Sequence, residues 1–193
     1  MTGRARGRRA VVVVALVLSG CTGGTAGSQP TPSTGSTGSA SITAPPSPSS
    51  APTPPPLPAA ARKPTAEGAE AFFRHFWDLY NYSYKSLEPD RFESISAKSC
   101  KSCAGYVRDI ERARLRQFMF SGGVVTVTTA VAGPGRPGDG LIVNGVISQT
   151  DAQTKDKSGA LMAEVKGKSG KRIDAAVRWT NGRWMMVGMD AVS

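Results

Sequence analysis

The pair Cys100 and Cys103 has a spacing that can serve thiol–disulfide exchange, zinc binding or a structural cross-link. A closed zinc site needs four ligands, and the chain offers no second closely spaced Cys pair and only one His, so zinc is disfavoured. A thioredoxin-type redox site places its first Cys at the start of a helix that follows a strand. The segment before Cys100 is instead predicted to be helix and loop. We therefore predict a structural disulfide, with redox catalysis as the alternative.

His75 is the single His of the chain and the first candidate for a general base. It falls on the flank of the first predicted helix, and its spacing indicates no Ser, Asp or Cys partner, so we predict a surface or boundary position. The sequence has no H-E-x-x-H, no G-x-S-x-G and no Gly-rich phosphate loop. These observations predict neither catalytic residues nor a metal or other cofactor.

The N-terminus has the order of an export signal. Residues 1–9 contain four Arg and no acid, and an unbroken apolar run follows from Ala10 to Leu18. This run has nine residues, whereas a helix needs about 20 to span a bilayer. It ends in Leu18-Ser19-Gly20-Cys21, which resembles the bacterial lipoprotein box. We therefore predict a lipoprotein signal peptide over residues 1–20.

The resemblance to the lipoprotein box implies that cleavage leaves Cys21 as a lipidated N-terminus, with diacylglycerol and palmitate, on the outer face of the cell membrane. An ordinary exported protein with a chance Cys21 is the alternative, and Arg8-Arg9 leaves twin-arginine export open. Each of these alternatives is extracytoplasmic. With Cys21 modified, an even number of Cys is left outside the cell, where disulfides persist, and this favours a bond between Cys100 and Cys103.

Charge says little about partners once the signal is removed. Residues 1–20 carry four Arg and no acid, so their loss lowers the formal net charge from +10 to +6. A charge of this size suits a surface near anionic lipid headgroups. No nucleic-acid-binding motif accompanies it, and we predict no nucleic-acid partner.

Residues 21–61 are predicted to be the lipidated Cys and a disordered tether. No Asp, Glu, Lys or Arg lies between Thr22 and Ala61, and ten of the 14 prolines do. The first aromatic residue is Phe72, so the large apolar side chains that a core needs all follow the tether. Residues 62–193 are accordingly predicted to form one folded domain.

This domain should begin with helices. Thr65 is a predicted N-cap, and apolar residues recur after it at spacings of three and four, which indicates an amphipathic helix. The opposite, polar face carries Arg74, Asp78, Asn81 and Lys85. A short helical turn is predicted over residues 89–94, and a further helix over 99–118 that ends before Gly122-Gly123.

After Gly123 the period of the apolar residues changes to two, which predicts strands. The first begins at Val125, and later strands cover residues 141–149, 161–166 and 171–180. Asn144-Gly145 would leave only three residues before a hairpin turn, so we interpret it as a β-bulge. The polar residues 150–159 are predicted to form a loop.

Asn181-Gly182 predicts a type I′ hairpin turn, because both residues tolerate positive φ. The register that follows pairs Trp179 with Trp184 on the face that the helices cover. The other face would then carry an apolar interaction patch for a partner, formed by Met185, Val187 and Met189. The alternative is that a loop or the C-terminus covers this patch.

Helices followed by an antiparallel meander indicate an α+β fold, with the helices packed on a curved sheet of about five strands. At this length the order resembles the nuclear-transport-factor-2-like cone. The sequence also resembles an actinobacterial family of exported lipoproteins of unknown function, through Thr65-x-x-Gly68-Ala69-Glu70-Ala71-Phe72, the aromatic run to Tyr84, Cys100-x-x-Cys103 and Gly182-x-Trp184. One departure from the cone is that its usual strand after the second helix would have to fit within the short segment 95–99.

The resemblance to a cone implies a mouth lined by aromatic side chains, which would be a candidate pocket for a small apolar ligand. The residues expected there are Phe72, Phe73, Phe76, Tyr80, Trp179 and Trp184. We therefore expect a non-enzymatic binding or interaction module of the cell envelope, held at the membrane by Cys21. Its partner would be a small ligand, an envelope protein or a second copy. The alternative is a small cone enzyme or a thiol oxidoreductase that uses Cys100 and Cys103.

Overall fold

The computed structural model describes residues 52–135 and 140–192, which form three α-helices, a short 3-10 helix and seven strands. The predicted signal peptide, Cys21 and most of the predicted tether lie outside the described residues. Within the described ranges, no helix is both long enough and apolar enough to cross a membrane. The fold class is α+β, as predicted.

The helices follow the local capping signals. They are α1 (Ala66–Ser86), α2 (Asp90–Ser94) and α3 (Lys101–Arg116). The hydroxyl of Thr65 accepts a hydrogen bond from the N–H of Gly68 at 3.1 Å, which confirms the predicted N-cap. Helix α3 ends two residues earlier than predicted, because Gln117 takes a left-handed conformation (φ 55°) and its N–H turns back to the carbonyls of Ala113 and Arg114.

The strands form two antiparallel sheets rather than one. They are β1 (Met119–Gly122), β2 (Val125–Pro134), β3 (Leu141–Gln149), β4 (Ala152–Lys155), β5 (Leu161–Val165), β6 (Lys168–Thr180) and β7 (Arg183–Val192). The strand order is β1-β4-β5 in one sheet and β2-β3-β6-β7 in the other. Strands β1 and β4 were not predicted: β1 lies where we expected only the end of a helix, and β4 lies inside the predicted loop.

Three chain corners join the two sheets, at β1–β2, at β3–β4 and at β5–β6. Gly122 and Gly123 form the first corner with positive φ (68° and 70°), and a Cβ on Gly122 would collide with the carbonyl oxygen of Asp151 in the second corner. The Asp151 carboxylate accepts a hydrogen bond from the N–H of Gly167 in the third corner at 2.8 Å. The three corners therefore stabilise one another. The strands that they join stand in the same order in both sheets.

The core lies between α1 and the four-stranded sheet. The apolar face of α1 is buried there, together with Phe92 of α2 and Val107 of α3. The packing begins before the predicted boundary at Arg62, because Ala61 is buried in a 3-10 helix (Ala60–Arg62) and Leu57 packs against the core. Leu57 and Ala61 thus belong to the folded domain.

Gly145 is not at a β-bulge, contrary to our prediction. It pairs in regular register with Ala130 on one side and Ile173 on the other. A Cβ built on Gly145 would lie 2.5 Å from Cε1 of Phe73, and closer still to Cζ. Glycine is required here because the buried Phe73 ring of α1 rests directly on the strand backbone.

The final hairpin has the predicted register near its turn and a different one farther away. Trp179 pairs with Trp184, and their rings meet edge to face with centroids 5.4 Å apart. A register shift between Ala176 and Val177 then places Met189 opposite the buried Ala175.

This shift corrects the predicted apolar patch. Met189 packs against the core, on the face opposite to that of Met185, so Met185, Val187 and Met189 do not share one exposed face. Each of the three is only half-exposed.

Both edges of the four-stranded sheet are covered by other parts of the chain. Along β2, the polar side chains of α1 bind the strand backbone. Asn81 accepts from the N–H of Val125 at 2.9 Å and donates to its carbonyl at 2.8 Å, and Arg74 donates to the carbonyl of Val127 at 3.0 Å. Glu70 accepts from the N–H of Ala132 at 3.0 Å.

Along β7, the opposite edge, the segment before α3 makes the corresponding contacts. Met186 exchanges backbone hydrogen bonds with Ile95 and Ala97, both of 2.8–2.9 Å. The hydroxyls of Ser99 and Ser102 donate to carbonyls farther along β7. An isolated β-bridge pairs Ser96 with Met186, and the segment 95–99 forms no longer strand.

Candidate ligand-binding cleft

A cleft lies between the helices and the three-stranded sheet, and it has two adjoining parts. The larger part, here called the aromatic recess, has a volume of about 420 Å³. Its walls include Tyr80 and Tyr84 of α1, Phe118 and Phe120 near β1, and small or polar residues of β4. The smaller part, the lysine recess, has a volume of about 190 Å³ and shares Tyr80, Gln149 and Val165 with the first.

A second opening lies beside this cleft, between the N-terminal segment and α1. It has a volume of about 710 Å³, and Pro52, Thr53 and Pro55 form one of its walls. Tyr84 and Phe120 belong to its lining as well as to that of the aromatic recess. We take the aromatic and lysine recesses as the candidate site, because α1, α3 and the sheet strands supply most of their walls, whereas one wall of the wider opening is a segment without strand or helix.

The aromatic recess is backed by a continuous ring stack. The centroid of Tyr80 lies 4.6 Å from that of Tyr84 and 5.0 Å from that of Tyr106, and Tyr84 lies 5.2 Å from Phe120. Contacts of this kind add to the burial energy of each ring and hold the rings in place. The wall of the aromatic recess is thus preformed.

The hydroxyls of this stack stay protonated at neutral pH. Burial, reinforced by the neighbouring Tyr106, raises the pKa of Tyr80 to about 12. Burial also raises the pKa values of Tyr84 and Tyr106, and the negative charge of Asp109 adds to both effects. The three phenols can donate or accept hydrogen bonds, but they are poor bases and poor nucleophiles at physiological pH.

The rim of the aromatic recess carries an ion pair between Asp109 and Arg112, with 3.1 Å between carboxylate and guanidinium. Both side chains are more than half exposed, so the pair contributes little to stability. The charges of Arg112 and Asp109 offset each other at the rim.

The lysine recess is lined by Lys166, which precedes β6, and by Lys168 and Lys171 at the start of β6. Two carboxylates balance the charge of Lys166. Its ammonium lies 2.6 Å from a carboxylate oxygen of Glu164 and 3.0 Å from one of Asp151, and these hydrogen bonds raise the pKa of Lys166. Lys168 and Lys171 form no ion pair with any described residue. No Asp or Glu is among the described residues that line this recess.

Trp77 closes the inner end of the lysine recess. Its side chain is 3% exposed, and its indole Nε1 has no hydrogen-bond partner among the described residues. Buried polar groups in folded proteins are nearly always paired, so an orphaned donor in a cavity wall is a feature that needs a cause.

Only one of the six predicted pocket residues lines these recesses, namely Tyr80. Phe72, Phe73 and Phe76 are packed in the core instead. Trp184 is also buried, and its indole N–H donates to the carbonyl of Lys63 at 3.0 Å, so it fastens the N-terminal segment to the hairpin.

Several cleft residues escaped the sequence analysis. Tyr84 was visible as the residue one helical turn after Tyr80, and Phe118 and Phe120 alternate in the manner of a strand face. Lys168 and Lys171 carried no such signal, because it is the corner between β5 and β6 that places them at the cleft.

The two cysteines form the predicted disulfide, with their Cα atoms 5.3 Å apart. Cys100 is 1% exposed and Cys103 is fully buried. Thiol–disulfide exchange needs a sulfur that an attacking thiolate can reach, so this burial disfavours redox catalysis. In the described ranges, no group of three or more His, Cys, Asp and Glu residues could hold a metal ion.

His75 is buried rather than at the surface, contrary to our prediction. It is 4% exposed, and its Nδ1 has no hydrogen-bond partner among the described residues. Burial lowers the pKa of the imidazole, and the charge of Asp78 opposes this effect.

Three exposed large apolar residues lie on β5. Leu161, Met162 and Val165 are 54%, 58% and 56% exposed, and β5 is an edge strand of the three-stranded sheet. All five residues of this strand are exposed.

The bent pair of sheets around α1 and the aromatic cleft define a small α+β domain with a preformed cavity. The chain belongs to a family of unknown function, DUF6318, whose model matches residues 43–190. None of the curated proteins matches it.

Among solved structures, the intermembrane space region of the chloroplast protein ARC6 is similar, with a TM-score of 0.51 at 9% identity over 67% of this chain and 97% of that chain. A Bdellovibrio bacteriovorus protein, Bd1075, gives a TM-score of 0.38 at 5% identity over 65% of this chain and 41% of that chain. A Caulobacter vibrioides protein with a cystatin-like fold gives a TM-score of 0.35 at 12% identity over 66% of this chain and 88% of that chain. At such identities the first likeness concerns the fold alone.

Proposed function

We propose that this protein is an extracytoplasmic lipoprotein whose domain is a non-enzymatic module that binds a small, largely apolar ligand in the cleft. The observation that carries the proposal is the aromatic recess. Its volume of about 420 Å³ falls in the range of about 300–1,000 Å³ that is usual for ligand sites. Aromatic rings form much of the wall, and a few polar groups stand among them, as in sites that bind small molecules.

The chemistry of the wall favours holding a ligand over transforming it. Tyr80, Tyr84 and Tyr106 are neutral at physiological pH and offer hydrogen bonds to a bound molecule. The buried disulfide between Cys100 and Cys103 is better suited to bracing the first turn of α3 than to thiol exchange. The alternative of a thiol oxidoreductase therefore has less support.

The localisation in the proposal rests on the sequence. Lipidation of Cys21 would hold the chain at the outer face of the cell membrane, with the Ser/Thr/Gly/Pro-rich residues that follow as a spacer. We also propose that the protein is an actinobacterial lipoprotein and that the bent sheet around α1 is a variant of the nuclear-transport-factor-2-like cone. Docking of an envelope protein or a second copy stays a prediction without a located surface, since the predicted patch is not formed.

The cleft is tested by filling it. Thr154 lines the aromatic recess, so Thr154→Trp should block it, whereas Thr129→Trp places the same side chain at an exposed position of β2. The neutral fluorescent probe N-phenylnaphthylamine should bind the wild-type protein and Thr129→Trp, and should bind Thr154→Trp weakly or not at all. Absence of binding to the wild-type protein, or equal binding to both variants, would show that the cleft is not a ligand site.

The anchor is tested in the expressing cell. Cys21→Ala should leave the protein unprocessed or free of lipid, so that it no longer enters the detergent phase on partitioning. An unchanged mass and an unchanged partition would remove the lipoprotein assignment.

A further inference from the structure

We infer that the ligand of this cleft is an anionic amphiphile, whose charged head binds Lys168, Lys171 and the indole N–H of Trp77 in the lysine recess. This inference rests on the proposed function and specifies the class of molecule that the site accepts. A carboxylate and a phosphate monoester at the end of an apolar chain share the required chemistry.

The first argument is the charge of the lysine recess. Lys168 and Lys171 both line it, and the described residues that surround it supply no carboxylate to balance them. The third cation, Lys166, differs because Glu164 and Asp151 already neutralise it. An anion would therefore meet two cations that form no ion pair with any described residue.

The second argument is independent of charge. Trp77 lines the same recess, and its indole Nε1 is buried and has no partner among the described residues. An indole N–H can only donate, so an acceptor oxygen is what would satisfy it. Carboxylate and phosphate oxygens are acceptors, and they also bind ammonium groups through strong charge-assisted hydrogen bonds.

The third argument is the order of the two recesses. The lysine recess, at about 190 Å³, has room for a head group, and the adjoining aromatic recess, at about 420 Å³, is suited to an apolar chain. Tyr80, Gln149 and Val165 form the boundary between them. A molecule that fills both must be charged at one end and apolar along the rest.

The experiment uses three twelve-carbon probes with different heads: dodecanoate, dodecyl phosphate and dodecanol. Each displaces N-phenylnaphthylamine from the full chain, and the concentration needed for displacement gives its affinity. We expect at least one anionic probe to bind the wild-type protein about tenfold or more tightly than dodecanol. A preference for dodecanoate would indicate a fatty-acid source, and a preference for dodecyl phosphate a phospholipid source.

Variants separate the head site from the chain site. Lys168→Gln with Lys171→Gln should lower the affinity for the preferred anionic probe about tenfold and leave that for dodecanol unchanged. Lys98→Gln with Lys101→Gln removes two exposed charges elsewhere and should change neither affinity. Trp77→Phe keeps a ring but removes the N–H, and should weaken binding of the anionic probe only.

The outcomes distinguish this inference from the proposed function. If dodecanol and N-phenylnaphthylamine bind but the anionic probes bind no more tightly, or if the two double variants behave alike, the anionic head site is wrong and the apolar cleft stands. If no probe binds the wild-type protein, the proposed function and this inference fall together. Added salt should weaken binding of the anionic probe to the wild-type protein and have little effect on the Lys168/Lys171 variant.

Discussion

Replacement of Gly145 by Ala tests whether α1 rests on the sheet backbone as the structure describes. The new Cβ would lie 2.5 Å from Cε1 of Phe73, whereas ordinary contacts of this kind are 3.4–4 Å, so the ring or the strand must move by about 1 Å. Phe73 is fully buried, and its ring also meets Trp77 edge to face, so a displacement would spread through the core.

The expected cost can be estimated from two opposing effects. Overpacking in a dense core destabilises by about 1–3 kcal/mol. Replacing Gly by Ala within a strand contributes about 0.5–1 kcal/mol in the other direction, because the unfolded chain loses less entropy on folding. We therefore expect Gly145→Ala to lower the free energy of unfolding by about 1–2 kcal/mol and Tm by about 4–8 °C.

The assay is urea and thermal unfolding followed by circular dichroism. Gly133→Ala is the matched control: it is also a strand glycine, and nothing lies within 4 Å of a Cβ built there, so it should be neutral or slightly stabilising. Phe73→Leu should reduce the cost of Gly145→Ala, with a coupling of about 1 kcal/mol between the two substitutions. Equal stability of the two Gly→Ala variants would refute the close approach of Phe73 to β3.

Three further predictions concern polar groups and the disulfide. Asn81→Ala removes both hydrogen bonds to the backbone of Val125 and should destabilise the domain by about 2–3 kcal/mol in urea unfolding; a change below about 0.5 kcal/mol would mean that water replaces them fully. Reduction of Cys100–Cys103 opens a four-residue loop and should cost about 2 kcal/mol, with faster hydrogen exchange at the start of α3 than elsewhere; alkylation of both thiols in native, unreduced protein would contradict the bond. The folded state lowers the pKa of His75, so the unfolded chain takes up the proton first and stability should fall as pH decreases below about 6.5. His75→Asn should remove this part of the pH dependence, and an identical slope in the variant would assign it to other groups.

Local signals in the sequence were sufficient where one or two residues determine the backbone. The side chain of Thr65 fixes the start of α1, and the left-handed conformations at Asn181 and Gly182 fix the hairpin turn and the pairing of Trp179 with Trp184. These features depend on neighbours within a few positions, so the sequence alone could predict them.

Features that depend on distant contacts could not be predicted in this way. The register shift beside Val177 has no local signature, and it alone moves Met189 to the core face. Gly145 was misinterpreted because the reason for it is a ring on α1, about 70 positions earlier in the chain. Asn81 and Arg74 were placed on the polar face of α1, but the helical pattern could not indicate that they bind the edge of β2.

The cleft also depends on distant contacts. Its walls come from α1, α3 and strands of both sheets, and two of these strands, β1 and β4, were not predicted. Burial of His75 and exposure of Leu161 likewise depend on how the two sheets bend against the helices. A resemblance to a cone could indicate a cavity, but it could not indicate which residues would line it.

The covered edges of the four-stranded sheet have a consequence for misassembly. An unpaired strand edge is a template on which another chain can add, and this is how native proteins begin to aggregate. In this domain the side chains of α1 occupy one edge, and the segment before α3 occupies the other, so strand exchange there would first require a helix to detach. The exposed strand β5 offers the easier starting point, and the adjacent charges of Glu164 and Lys166 interrupt its apolar surface in the way that gatekeeper residues do. Tertiary packing therefore protects the edges of the four-stranded sheet from strand addition, and two charges protect the β5 edge of the three-stranded sheet.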